Sequence, residues 1–282
     1  MEFNSDSLHL SGTTFQLLRD LIETHTGVHY DQSQCQILQD KLAPRIFTLG
    51  LDSFLDYYYL LKYDAGAKEE WIQLMNIISV PETFFGREFD QIKSMVDVLV
   101  PQYFAQGNQE PLRIWSAACA TGEEPLTIAM ALNEKGWFHQ GLPIEIYASD
   151  GSARSIEMAK RGLYRERSFR SFPLYLQKKY FQQQDQNAWK ILPEIHQRVQ
   201  WSNRNLMSEH DVRPMATAPF IFCRNVFIYF SQEAIKKTLQ IFAQMMPVPG
   251  YLFVSASESL LRLTNDFDLE QINGAFVYQK KV

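Results

Sequence analysis

The stretch Ile114 to Met130, IWSAACATGEEPLTIAM, constrains what this chain can fold into more than any other. Leu112, Ile114 and Trp115 have the apolar, partly β-branched character of a buried parallel strand. Ser116 through Gly122 are all small enough to let a ligand approach the backbone. Beyond them Glu123 and Glu124 open a segment whose Leu126, Ile128, Ala129, Met130 and Leu132 predict a helix packed on a sheet. Strand, small-residue turn and helix make the first unit of a nucleotide-binding α/β sheet.

The turn also restricts the ligand. A dinucleotide site has a G-x-G-x-x-G pattern and a helix N-terminus free of acid to receive pyrophosphate. Here one glycine is followed by two carboxylates. Such a helix start repels phosphate but suits a ligand with hydroxyls and positive charge, such as S-adenosylmethionine, although complementing the helix dipole would by itself account for the acids.

With 282 residues, the chain is long enough for one large or two smaller domains. No segment approaches 18 uninterrupted apolar residues and the N-terminus lacks a basic and apolar leader pattern, so membrane insertion is not expected and a cytoplasmic location is. Cys35, Cys119 and Cys223 read as buried thiols, and six scattered histidines show no metal spacing. A net charge of -5 argues against a general nucleic-acid binder. The charge is uneven: residues 1–80 hold five Lys/Arg against eleven Asp/Glu, whereas 151–182 hold eight basic residues against Glu157 and Glu166.

Residues 13–80 read as four short helices, with Gly27 stopping the first and Pro44 interrupting or kinking the second, so a helical domain is expected over 1–80. VPETFFGRE, from Val80 to Glu88, is too aromatic for a flexible linker, and Phe84 and Phe85 should pack. A helix from about Phe89 to Phe104 leads into the central strand. The next strand, Ile144 to Ala148, ends at Ser149-Asp150, where an acid at the carboxyl end can accept two hydrogen bonds from ribose hydroxyls; capping a helix near Ser152 is its plainer role. Residues 163–187 are too long for an ordinary connection, and with strand character at Ala188–Ile191 and Arg198–Ser202 they predict a small antiparallel excursion. Further strands are expected at Pro219–Cys223, Tyr251–Ser255 and Phe276–Lys280, with an N-cap at Ser231.

Taken together, WSAACATGEEP, the ASD of Ala148–Asp150, GLYR at Gly162, Asn205-Leu206, IFCRNVFIYF from Ile221 and PGYLFVSASESL from Pro249 resemble the CheR chemotaxis-receptor glutamate methyltransferases, in order and spacing. The resemblance runs nearly end to end. It implies a Rossmann-like S-adenosylmethionine-dependent methyltransferase domain over 89–282, an N-terminal all-helical domain, a linker at 81–88 contributing to the cofactor site, and a small antiparallel β-subdomain at about 165–203. Carried over by position, it implies that Thr83, Arg87, Glu123, Asp150, Asn205, Leu206 and Asn225 contact S-adenosylmethionine, or its product S-adenosylhomocysteine, and that Arg87, Arg224 and Tyr229 stand near the transferred methyl group. The implied partners are glutamate-bearing helices of methyl-accepting chemoreceptors. A glutamate is ionised at neutral pH, so transfer needs alignment rather than a general base.

Departures from the family pattern are Pro81 in place of Asn, Gly86 in place of Phe, and Gly151 in place of a larger residue. They motivate an alternative, a catalytically weakened cofactor-binding signalling module; an S-adenosylmethionine enzyme acting on another nucleophile is a third reading. The second helix retains only Lys41 and Arg45, with Phe47 at a usual Arg position, which turns attention to the basic 151–182 region, notably Arg167 and Arg170, for substrate docking. The excursion lacks the glycine-containing loop of members that tether to a receptor's C-terminal peptide, so no tethering is expected.

Overall fold

The computed structural model describes residues 8–108 and 110–281. The N-terminal domain is built from α1 (Gly12–Thr26), α2 (Cys35–Thr48), α3 (Phe54–Tyr63) and α4 (Ala67–Ile78). Ser11 and Ser53 cap α1 and α3 through their side chains, and Gly27 ends α1 in the left-handed region. α2 runs through Pro44 without a break. Phe15, Leu18, Leu38, Leu42, Tyr57 and Leu74 close a core of their own.

Residues 79–88 cross to the second domain. Phe85 is fully buried, its ring 4.8 Å from Tyr164, 5.2 Å from Phe169 and 5.0 Å from Phe181 between centroids. Gly86 has φ +76, a conformation in which the family's larger residue would be strained, and its N–H donates to Thr127 Oγ1. α5 (Phe89–Ser94) and α6 (Val100–Ala105) follow, joined by a π-type turn over Met95–Leu99.

The chain then lays down β1 (Leu112–Ala117), α7 (Glu123–Glu134), β2 (Ile144–Asp150) and α8 (Ala153–Arg161). An excursion holds β3 (Leu163–Arg165), α9 (Leu174–Tyr180), β4 (Phe181–Asp185) and β5 (Ala188–Ile191), whose strands form a small antiparallel sheet in the order β3-β5-β4. α10 (Pro193–His196) leads to β6 (Val199–Asn203), and α11 (Glu209–Val212) to β7 (Phe220–Phe222). The expected extent of the excursion is corrected here: β6 pairs in parallel with β2 and forms an edge of the main sheet. Its Val199 packs inward while the small sheet ends at Ile191. α12 (Gln232–Met245), capped by Ser231, precedes β8 (Tyr251–Phe253), β9 (Phe267–Ile272) and β10 (Ala275–Lys280).

Among the described residues the main sheet has the order β6-β2-β1-β7-β8-β10-β9. The strands from β6 to β8 are parallel; β10 is antiparallel to β8 and forms a hairpin with β9. The hairpin turns on Asn273-Gly274, both with positive φ, which the right-handed twist of paired strands favours. From β1 the chain first builds outward to β2 and β6, then returns to β7 on the other side. β1 is therefore the switch point of the sheet, and a cleft opens beyond its carboxyl end. No helix among the described residues is long and apolar enough to cross a membrane.

Candidate active site

A cavity of about 310 Å³ lies at that switch point. Its floor comes from the carboxyl ends of the parallel strands: Ala118, Cys119 and Ala120 after β1, Asp150 and Gly151 after β2, Arg204 to Leu206 after β6, and Arg224 and Asn225 after β7. Its roof is the linker, with Thr83, Phe84 and Arg87, and the facing edge of the helical domain. Ala118 and Ala120 have φ +56 and +48, so the turn after β1 is tightly wound in the left-handed region.

Asp150 holds the floor together. Its Oδ2 accepts from Ala120 N at 2.9 Å and its Oδ1 from Ser152 N at 2.8 Å, so it braces the β1 turn against the start of α8. Burial raises its pKa above the ordinary carboxylate range, and the two amide bonds oppose that rise. The two acids opening α7 diverge. Glu124 faces the cavity, accepts from Ser116 Oγ at 2.7 Å and lies 3.5 Å from Arg224 Nη1; burial raises its pKa, opposed first by the Arg224 charge. Glu123 does not line the cavity. Its oxygens accept from Thr121 Oγ1 at 2.6 Å and Ser168 Oγ at 2.9 Å, which ties α7 to the excursion, and burial raises its pKa as well. The structure turns the Glu123 side chain toward the excursion: at the first helical turn adjacent residues point about 100° apart, and the neighbouring Glu124 carboxylate takes the cavity side.

Arg224 is buried, donates from Nη2 to the carbonyl of Arg87 at 2.6 Å and lies 3.4 Å from Glu88, while its Nε and Nη1 make no hydrogen bond among the described residues. It fastens the linker to the strand ends. Arg87 itself donates from Nη1 to the Glu82 carbonyl at 2.9 Å and forms no ion pair among the described residues. Thr83, Leu206, Asn225 and Tyr229 also line the cavity. Asn205 lines it too, but its side chain is engaged: Nδ2 donates to the His25 carbonyl at 2.6 Å and Oδ1 accepts from Met207 N.

Sequence reasoning did not anticipate the wall from the helical domain. Val28, His29, Tyr30 and Lys41 line it, and Met75 fills the space beside Gly151, where an added Cβ would lie 3.1 Å from Met75 Cε. His29 pairs with Glu23 at 2.6 Å, Lys41 donates to the Ile78 carbonyl at 3.0 Å, and burial pushes Tyr30 up to about 12. Besides the Asn205–His25 bond, further latches hold this wall in place: His29 N donates to the Tyr229 carbonyl at 2.8 Å, Ser231 N to the Gly27 carbonyl at 3.2 Å, and Asn76 Oδ1 accepts from Ser152 Oγ and Arg154 N at the start of α8. Cys119 is on the floor, but burial and neighbouring carboxylates raise its thiol pKa far above neutrality, so it is no nucleophile there.

Residues 81–276 match the family model for the CheR methyltransferase SAM-binding domain, and residues 13–79 match that for the CheR methyltransferase all-alpha domain. The chain belongs to the CheR methyltransferase family. Chemotaxis protein methyltransferase 2 of Vibrio cholerae serotype O1 is 29% identical over 271 residues, covering 96% of this chain and 94% of that protein. Chemotaxis protein methyltransferase 2 of Pseudomonas aeruginosa is 30% identical over 267 residues, covering 93% and 92%. Among solved structures, magnesium protoporphyrin IX methyltransferase (ChlM) from Synechocystis PCC 6803 with bound SAM matches at 12% identity over 79% of this chain and 91% of its own, with a TM-score of 0.34, too low to bear on the site. As a CheR member the chain is a methyltransferase with an S-adenosylmethionine-binding domain, and the switch-point cavity lies within that match except for the wall from the helical domain.

Proposed function

We propose that this CheR protein transfers the methyl group of S-adenosylmethionine to side-chain carboxylates of glutamates on chemoreceptor-type helices, forming methyl esters in the cytoplasm. The observation that carries this reading is Arg87: a guanidinium in the cavity roof with no ion-pair partner among the described residues, above the acids Asp150 and Glu124 and an Arg224 already set against Glu124 and Glu88. Those acids suit a cationic cofactor, and the unpaired guanidinium suits an anionic acceptor. Bound S-adenosylmethionine supplies an activated methyl group. Asp150 and the Asn225 side of the floor would hold its adenosine part, with Thr83 and Leu206 closing over it, and Glu124 offers the cation a negative neighbour. Arg87 and Tyr229 would steer the glutamate carboxylate. It is already ionised, so these residues align it and exclude water, and such orientation lowers a barrier by up to roughly 7 to 11 kcal/mol.

The acceptor docks, on this reading, against the basic face of 151–182. Arg161, Arg165, Arg167 and Lys178 are exposed there and form no ion pair among the described residues, whereas Arg170 is committed to Glu82 and lies 4.0 Å over the Phe84 ring. The turn between β4 and β5 is short, which fits docking without a tethered receptor peptide.

Calorimetric titration with S-adenosylmethionine and S-adenosylhomocysteine tests the cofactor half, and radiolabelled methyl transfer to a receptor cytoplasmic fragment tests the acceptor. Methyl esters release methanol in mild alkali. Label that resists alkali would mean that another nucleophile is modified, and absence of both binding and transfer would favour the signalling-module alternative.

A further inference from the structure

Glu258, the charged residue of the PGYLFVSASESL segment, takes part in none of the steps above. It lies just past β8, is 8% exposed, and forms no ion pair among the described residues. Its carboxylate is held by four backbone N–H groups. Oε2 accepts from Asn225 N at 2.9 Å and Ser255 N at 2.9 Å; Oε1 accepts from Val226 N at 2.8 Å and Ile228 N at 3.3 Å.

Three of those donors belong to one short loop, and that loop carries the cavity wall from Arg224 to Tyr229. Its backbone is not one the residues would adopt unaided. Asn225 sits at φ +59, and Phe227–Tyr229 form a single 3₁₀ turn whose first N–H groups have no partner inside the turn. Buried N–H groups left without an acceptor are costly, and here one carboxylate serves three of them while its fourth bond fixes it to the end of the neighbouring parallel strand. A residue needed only to fill this space would be apolar; a buried carboxylate balanced by amide dipoles alone is suited to fixing a backbone shape.

We propose that Glu258 is a positioning residue for methyl transfer: its carboxylate shapes the 224–229 loop, and through it sets Arg224, Asn225 and Tyr229 against the cavity. This rests on the reading of the cavity given above. Glu258→Gln keeps the shape but turns one oxygen into an NH₂ group that faces two N–H donors and cannot accept from them.

The test compares wild type, Glu258→Gln and Glu258→Asp by thermal unfolding, S-adenosylhomocysteine titration, steady-state methyl transfer and amide hydrogen exchange. For Glu258→Gln, exchange at Asn225, Val226 and Ile228 is expected to quicken by about tenfold or more as the loop opens locally. The kcat is expected to fall by roughly tenfold to a hundredfold, since misplacing a group by about 1 Å costs on that order. Affinity for S-adenosylhomocysteine should fall less than kcat does, by about threefold to tenfold, because the loop carries Asn225 while Asp150 and Thr83 lie on other elements. Glu258→Asp, which keeps both acceptor oxygens on a shorter stem, should recover part of the kcat. A folded Glu258→Gln protein with a wild-type kcat, or with unchanged exchange at the three amides, overturns the proposal. Global unfolding of both variants would make Glu258 a support of the fold alone and overturn it too. A wild type that neither binds the cofactor nor transfers methyl groups defeats the reading of the cavity itself, a result distinct from an active wild type matched by Glu258→Gln.

Discussion

At the scale of single residues, the acids Glu123, Glu124 and Asp150 differ in what they face: Glu123 is buried, while Glu124 and Asp150 are partly open to the cavity. Burial raises all three pKa values, so the folded protein keeps each proton to higher pH than the unfolded chain does. Each therefore favours folding below the ordinary carboxylate range and costs stability as pH rises through its folded pKa. The side-chain groups that hydrogen-bond Glu123 among the described residues are hydroxyls, which can rotate to suit an amide. Glu123→Gln should unfold at the same temperature as wild type or higher, with the advantage growing as pH rises above the ordinary carboxylate range, and should leave cofactor affinity unchanged. A variant less stable at the alkaline end would contradict this account. Asp150→Asn presents a different case, because it removes charge from the cavity floor and one of two braces on the turn. Cofactor affinity should fall by about 1.5–3 kcal/mol, roughly tenfold to a hundredfold, in calorimetric titration. Unchanged affinity in a folded Asp150→Asn protein would show that the cofactor's hydroxyls lie elsewhere.

At the scale of elements, the parallel strands and their helices were legible because burial on both faces leaves long apolar runs and the switch-point turn leaves a run of small residues. The hairpin strand β9, Phe267–Ile272, was not, because an edge strand carrying Asp268 and Glu270 does not look apolar; the Asn273-Gly274 turn was its available signal. β6 reads as part of the excursion because pairing partners are not written in local pattern. At the site, the floor followed from strand ends, but the choice between Glu123 and Glu124 depended on helix rotation. The helical-domain wall depended on docking between domains, which no local periodicity records. Gly27 is the point where that docking is tightest: it has φ +77, and an added Cβ would lie 2.7 Å from the Phe230 ring. Gly27→Ala should cost about 1–2 kcal/mol from the backbone alone and lower the unfolding midpoint by roughly 3–6 °C. Methyl transfer should weaken with it, because the Gly27 carbonyl and His29 N hold the chain on either side of Phe230. A midpoint and a rate equal to wild type would show that the two domains meet more loosely than these contacts imply.

At the scale of the whole molecule, charge and closure are divided between the domains. The helical domain is acidic and closes the cavity, while the 151–182 stretch of the catalytic domain is basic, with its Arg and Lys side chains exposed. An acidic receptor helix would be repelled by the first and drawn to the second, so encounter should be steered and salt-sensitive. Raising ionic strength from about 0.05 M to about 0.3 M is expected to raise the KM for a receptor fragment severalfold while leaving cofactor affinity nearly unchanged, because the cofactor's polar contacts are enclosed and weakly screened. Arg165→Glu with Lys178→Glu should raise that KM by about tenfold or more with little change in kcat, since exposed charges act on association rather than on the aligned complex. These two positions are the informative ones: Arg170 is tied to Glu82 and the Phe84 ring, so reversing it would disturb the linker as well as the surface. A double variant with wild-type KM at low salt would move the docking surface away from this face, and the acidic helical domain would then have to meet a receptor segment of the opposite charge.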